Sequence, residues 1–214
     1  MEISEQFPEN LYAVFVAVGG GGLIAGIGAY LNKVHPNVKI IGVEAADSAG
    51  LHASVKAGKR VKLKEVGLFA DGAAAKQIGK NNYELIKNFL GDSITVDTDE
   101  ICAAVKDTFL ETRTVPEPTG ALALAGLKKY ISQKRIKNKN LIATYCGSNL
   151  NFESLGHIVE RSKIGEKKEI ILSIAIDEKK GSFRKLCRDI GQKNITEFSS
   201  VSYTHLRAHE TTCH

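Results

Sequence analysis

Four consecutive glycines, Gly19 to Gly22, stand between an unbroken apolar run, Tyr12 to Val18, and a periodic segment from Leu23 to Val34. No other feature constrains the chain as much. Residues without Cβ let the backbone turn through positive φ and come close to a ligand. A helix starting beside them offers unpaired N–H groups and the positive end of its dipole. The loop therefore reads as a cradle for an anion, most simply a phosphate. A strand-to-helix turn alone needs one or two glycines, so a longer run points to more than a turn.

Which phosphate-bearing ligand is meant stays open at this level. Gly20-Gly21-Gly22-Leu23-Ile24-Ala25 satisfies G-x-G-x-x-[GA], and Glu44 ends the next apolar strand, Lys39 to Val43. That is formally the dinucleotide fingerprint. A single-phosphate cofactor fits the same loop equally well.

Composition bounds the answer. With 214 residues, 43% hydrophobic and 25% charged, the chain can bury a real core and is globular. Its formal net charge is +5, concentrated at Lys128, Lys129, Lys134, Arg135, Lys137 and Lys139. Only Tyr130 accompanies these cations, so they read as a solvated helix end and loop, and no nucleic-acid partner is expected. Cys102, Cys146, Cys187 and Cys213 form no C-x-x-C pair, which suits a reducing, cytoplasmic compartment. No apolar run is long enough to span a bilayer and no secretory leader is recognisable, so no membrane partner is expected.

Strand and helix patterns alternate, which places the chain in the α/β class. Strand 12–18, helix 23–34 and strand 39–44 form one βαβ unit with a parallel pair, and Leu23, Ile27, Leu31 and Val34 supply the predicted buried stripe of the helix. A helix is predicted over 48–59, a short extended segment or loop over 67–72, a helix near 83–90, and a strand over 93–96. Asp97 is the predicted N-cap of the next helix, with Glu100 completing a capping box and Ile101, Val105 and Phe109 facing inward. The turn Val115-Pro116-Glu117-Pro118-Thr119-Gly120 opens a helix through Tyr130, and a strand over 140–145 runs into Cys146-Gly147-Ser148-Asn149.

A charged linker is read at Gly165-Glu166-Lys167-Lys168. Beyond it a strand is predicted over 169–176, a helix over 181–190, and the opening of a second strand over 194–199. The last residues, 201–214, fit nothing before them. His205, His209, Cys213 and His214 superficially offer zinc-ligand spacing, but the segment reads as a foreign tail and no metal site is expected.

Taken together, the motifs resemble those of a known family. Val18-Gly19-Gly20-Gly21-Gly22-Leu23, Gly42-Val43-Glu44-Ala45, Gly67-Leu68-Phe69-Ala70-Asp71-Gly72, Glu117-Pro118-Thr119-Gly120-Ala121-Leu122-Ala123 and Cys146-Gly147-Ser148-Asn149-Leu150-Asn151-Phe152 stand in the order found in the biosynthetic threonine dehydratases, or threonine ammonia-lyases. Glu178-Lys179-Lys180-Gly181-Ser182-Phe183 and Asn194-Ile195-Thr196-Glu197-Phe198 resemble the start of that family's ACT-like regulatory region.

The resemblance implies a fold-type II, tryptophan synthase β-like scaffold: a parallel sheet with helices on both faces, followed by a truncated ACT-like α+β segment. It implies pyridoxal 5′-phosphate as cofactor, L-threonine as substrate, isoleucine as allosteric inhibitor and a homotetramer for the full-length enzyme. Gly19, Gly20, Gly21, Gly22 and Leu23 are expected to hold the cofactor phosphate through their amides, and Cys146 to face the pyridine nitrogen. Glu44 and Glu117 are candidates for positions near the ring. Some relatives bind a divalent cation with the equivalent of Glu44 and a carboxylate six residues later. Here that later position is Gly50, so such a site is not expected, although Asp47 leaves a monovalent or water-filled version open.

The family's cofactor-binding lysine lies in a Ser-Phe-Lys-x-Arg-Gly motif that this chain does not contain. Ser182-Phe183-Arg184-Lys185 is similar only superficially, and Lys185 is not assigned to catalysis. Met1-Glu2-Ile3 resembles the middle of the helix before the glycine strand. The chain is therefore expected to be an inactive fragment, with residues 1–164 the later part of the catalytic domain, 165–200 a linker and truncated regulatory domain, and 201–214 the tail. Two other functions stay open on the residues alone: a Rossmann-type dinucleotide enzyme, and a small-molecule sensor built on the ACT-like segment.

Overall fold

The computed structural model describes residues 2–6 and 10–200. The tail, with its histidines and Cys213, lies outside the described residues. The chain divides into two compact units, Met1–Ile171 and Leu172–His214, and the first opens with a short helix, α1 (Glu2–Gln6).

The first unit is built on a parallel sheet of β1 (Leu11–Ala17), β2 (Lys39–Ala45), β3 (Leu90–Val96) and β4 (Asn140–Ala143), in the order β3-β2-β1-β4. β1 lies between two neighbours, pairing Ala13–Ala17 with Lys39–Val43 and, past a register shift, Ala13–Phe15 with Leu141–Ala143. This interior place explains its unbroken apolar sequence, because both of its faces are covered. Ala13, Phe15 and Ala17 enter one core, while Val14, Val16 and Val18 enter the other.

The first core is closed by α5 (Thr98–Thr112) and α6 (Pro118–Lys134), through Ile101, Cys102, Ala104, Val105, Leu122 and Tyr130. Phe15 meets the Tyr130 ring edge-on at 5.4 Å. The second core is closed by α2 (Gly22–Val34), α3 (Gly50–Ala57) and α4 (Lys80–Ile86), through Ile24, Leu31, Leu51, Tyr83 and Ile86. Fully burying such an aliphatic or aromatic side chain contributes about 1.5–3 kcal/mol, so this two-sided burial is what fixes the strand register.

Several expectations need correction. α2 buries Ile24, Ala25, Gly28 and Leu31, whereas Leu23 (46% exposed) and Val34 (42%) face outward. The cause is Gly28, where a Cβ would run into the Phe89 ring, so the helix turns its glycine face inward. The helix over 48–59 is a 3-10 turn, Ala46–Ser48, followed by α3, which stops at Gly58 with φ 65°. α4 ends at Ile86, and β3 begins earlier than expected, at Leu90. β4 stops at Ala143. Phe109 is exposed, because α5 turns Cys102, Ala103, Ala104 and Thr108 inward beside Ile101 and Val105.

A helix not anticipated, α7 (Ser154–Gly165), packs against α5. The residues read as a charged linker are held: a Cβ on Gly165 would strike the Asp99 carbonyl, and Glu166 pairs with Lys106 at 2.8 Å and Lys168 at 2.9 Å. Described residues of the second unit contain one helix, α8 (Ser182–Ile190), and no strand. The alternating segments 169–176 and 194–199 find no pairing partner, and alternation without a hydrogen-bonded neighbour does not make a strand.

Candidate functional site

The glycine loop is packed on one side and open on the other. A Cβ on Gly19 would come within 2.9 Å of Ala73 Cα, and one on Gly21 within 2.9 Å of the Ile78 side chain, while Cβ atoms on Gly20 or Gly22 would meet nothing within 4 Å. Gly21 has φ 85° and is the N-cap of α2, with no side chain to satisfy the first amides of the helix. The Gly20 carbonyl accepts hydrogen bonds from Gly79 N (3.1 Å) and Asn82 Nδ2 (2.8 Å), which fixes the loop from α4. An uncapped helix start with a bare, anchored glycine approach fits a phosphate group.

Parallel strands carry their C-terminal ends to one edge of the sheet, where α/β proteins place their ligands. Here that edge carries the glycine loop after β1, Glu44 near the end of β2, and Cys146 after β4. Val18 N donates to Val43 O at 2.9 Å and Thr144 N to Phe15 O at 3.0 Å, prolonging the two pairings on either side of β1. Cys146 is half-buried, and its thiol donates to Thr144 Oγ1 at 3.5 Å. Gly147, with φ 109°, turns the chain beyond it, and its carbonyl accepts from Glu117 N at 3.3 Å. The Glu117 carboxylate lies over the Gly147 backbone, where a Cβ would collide with it. Glu117 and Cys146 are therefore brought together through Gly147.

Glu44 has a different environment. It is 1% exposed, and its carboxylate accepts from Leu51 N and His52 N, each at 2.7 Å, so it caps the start of α3. Burial raises its pKa from 4.5 to about 7, while the amides of His52, Leu51 and Gly50 pull it downward. His52 in turn places Nδ1 2.9 Å from Ser93 Oγ. The Asp47 side chain is packed against Gly67. Among the described residues, no group of three or more His, Cys, Asp or Glu could hold a metal ion. Lys185 sits on α8 in the second unit.

Sequence reasoning did not single out Ala73, Ile78, Asn82 or Thr119. Ala73 and Thr119 lie in or beside quoted motifs, but Ile78 and Asn82 carry no local signal, because their role is to touch a loop far away in sequence. Thr119 is 8% exposed, and its hydroxyl has no hydrogen-bond partner.

Comparison with known proteins points to one family. Residues 1–147 match the family model described as pyridoxal-phosphate dependent enzyme, and residues 160–210 match that of the C-terminal regulatory domain of threonine dehydratase. The biosynthetic L-threonine dehydratase IlvA of Burkholderia multivorans is 47% identical over 199 residues, covering 93% of this chain and 39% of that protein. Its counterpart in Salmonella typhimurium is 48% identical, over 93% of this chain and 38% of that protein. The solved structure of processed threonine deaminase isoform 2 from Solanum lycopersicum superposes with a TM-score of 0.74 at 39% identity, covering 75% of this chain and 47% of that one. The chain thus spans about two fifths of the length of the curated relatives it matches.

Proposed function

Since the chain belongs to the family of pyridoxal-phosphate dependent enzymes, we propose that it carries the phosphate-holding half of the catalytic domain of a biosynthetic threonine dehydratase, followed by the start of its regulatory domain. The observation that carries this reading is the half-open loop Gly19–Gly22 at the start of α2, sharing a sheet edge with Cys146. The regulatory-domain match over 160–210 favours threonine dehydratase over other members of the family.

In this reading the amides of Gly19 to Leu23 hold the cofactor phosphate. Each hydrogen bond to a charged group contributes about 1.5–3 kcal/mol, and the α2 dipole adds about 0.3–1 kcal/mol. When bound, the cofactor ring supplies the electron sink that lets L-threonine lose its Cα proton and β-hydroxyl, giving 2-oxobutanoate and ammonia. Cys146 offers the ring nitrogen a weak thiol partner, which unlike a carboxylate does not force it to be protonated. Glu117 holds the Cys146–Gly147 loop through its amide, with its carboxylate packed over Gly147. Glu44 holds the α3 start at the same sheet edge. The lysine that binds the cofactor comes from polypeptide outside these 214 residues, so the chain alone does not turn over threonine.

Residues 1–164 are assigned to the catalytic part and 165–200 to a linker and the regulatory domain, whose family match runs from 160 to 210 and so enters the segment 201–214 read as a tail. In the whole enzyme, isoleucine acts as allosteric inhibitor, the assembly is a homotetramer and the location is cytoplasmic. The test is a chimera in which the preceding segment of the Salmonella typhimurium relative is joined ahead of Met1. It should form 2-oxobutanoate from L-threonine when supplied with pyridoxal 5′-phosphate. A folded chimera that binds the cofactor and leaves threonine untouched would overturn the threonine assignment.

A further inference from the structure

The two ends of the cofactor site are joined by one short turn. Gly120 has no Cβ, so the start of α6 lies directly on the Gly147 carbonyl, and that carbonyl also accepts from Glu117 N at 3.3 Å. Gly147 is held at φ 109°, a conformation few other residues adopt, so the Cys146–Gly147 loop cannot shift without disturbing the start of α6. On the other side of the same turn, Thr119 lies against Gly72: a Cβ there would be 3.1 Å from its Oγ1 and 3.4 Å from its Cβ and Cγ2. The next residue, Ala73, forms the wall against which Gly19 is packed, at 2.9 Å from a Cβ built there. Every link in this series is backbone or a short, branched side chain. Ala73, Thr119 and Gly120 are buried, and contacts this close leave little slack, so a displacement of one link is passed to the next.

We propose that the first turn of α6 sets the separation between the glycine loop and Cys146, with Gly120 and Thr119 as positioning residues for the bound cofactor. This rests on the reading of the Gly19–Gly22 loop as the phosphate cradle. The turn fixes where the ring end of the cofactor lies once its phosphate is seated. Gly120 controls the Cys146 end and Thr119 the 70–73 turn behind the glycine loop. Neither touches the reacting atoms.

The test compares two probes on the chimera that restores the preceding segment, pyridoxal 5′-phosphate and inorganic phosphate, each by equilibrium dialysis. Gly120→Ala is expected to lower cofactor affinity by about tenfold or more while leaving inorganic phosphate within about twofold. Gly19→Ala, which strikes the cradle itself, lowers both. Thr119→Val keeps the shape behind Gly72 and binds as the parent does, whereas Thr119→Ala opens a gap there and selectively weakens the cofactor. Unchanged cofactor binding by Gly120→Ala overturns the proposal. If Gly120→Ala loses both probes, Thr119→Ala decides: a selective loss of cofactor supports the spacing role and an unchanged affinity overturns it. A folded parent chimera that fails to bind the cofactor refutes the cradle reading itself, and the spacing proposal falls with it.

Discussion

The side-chain amide of Asn82 donates to the Gly20 carbonyl at 2.8 Å, tying α4 to the glycine loop across 62 residues of sequence. A loop of bare glycines has the highest conformational entropy of any segment its length, so an anchor of this kind is what makes it a preformed site. Asn82→Ala removes one of the two donors to that carbonyl and should lower stability by about 1 kcal/mol. Phosphate affinity should fall with it. Thermal melts and dialysis on the same preparation check both, and an unaltered affinity would mean that Gly79 alone suffices.

Gly21→Val tests the cradle more severely. Its φ of 85° is unfavourable for a β-branched residue, and the added Cβ would lie 2.9 Å from Ile78. We expect about 1–3 kcal/mol of destabilisation and loss of cofactor binding. A variant that holds the cofactor as tightly as the parent would place the phosphate elsewhere.

Glu44 makes stability depend on pH. Burial raises its pKa from 4.5 to about 7, so between those values the folded chain holds a proton that the unfolded chain has released. The associated stabilisation is fully present below pH 4.5, declines as pH rises, and is lost above about pH 7. Its size is on the order of 3 kcal/mol. Glu44→Gln, which mimics the protonated carboxyl, should flatten this part of the profile. Urea unfolding at successive pH values, parent against variant, measures the difference. Parallel profiles would mean the carboxylate stays ionised throughout.

Cys146 is tested in the threonine-cleaving chimera. Cys146→Ser exchanges one weak hydrogen-bonding group for another and should keep most turnover. Cys146→Asp brings a carboxylate that stabilises a protonated ring nitrogen and should lower turnover by about tenfold or more. Equal rates in the two variants would leave Cys146 with a packing role only, beside Thr144.

Much of the first unit was legible because its signals are local. β1 reads as buried on both faces since nothing polar interrupts it. The Asp97 capping box forms as its residues dictate, with Glu100 N donating to Asp97 Oδ1 at 2.8 Å and Asp97 N to Glu100 Oε2 at 2.9 Å. The inward face of α2 was misread because a glycine contributes nothing to hydrophobic periodicity, yet Gly28 is the position on which Phe89 packs. α7 was invisible for a related reason. Only Ile158 and Ser162 on it are buried, and it is also held by polar contacts such as Arg161 with Asp99 at 2.7 Å. At the candidate site, residue types alone suggested the glycine loop and Cys146, and the structure carries both to one edge of the sheet. The partners that hold the glycine loop, Asn82 and Ile78, act through tertiary contact and leave no mark in the local sequence. Glu44 ends its strand with a carboxylate whose partners, the amides of Leu51 and His52 at the start of α3, could not be read from the strand itself.

The segment from Glu169 to Ile176 has a consequence for how the protein behaves in bulk. Ile170, Ile171, Leu172, Ile174 and Ile176 are all exposed, on backbone with no ladder partner among the described residues. A proline-free, β-branched run of this kind is a template for intermolecular cross-β pairing, with charge only at its ends to oppose it. Colloidal stability is then set by this stretch and not by the sheet itself. Turbidity should rise with concentration well below the temperature at which the core melts, and a lysine in place of Ile171 or Ile174 should suppress it.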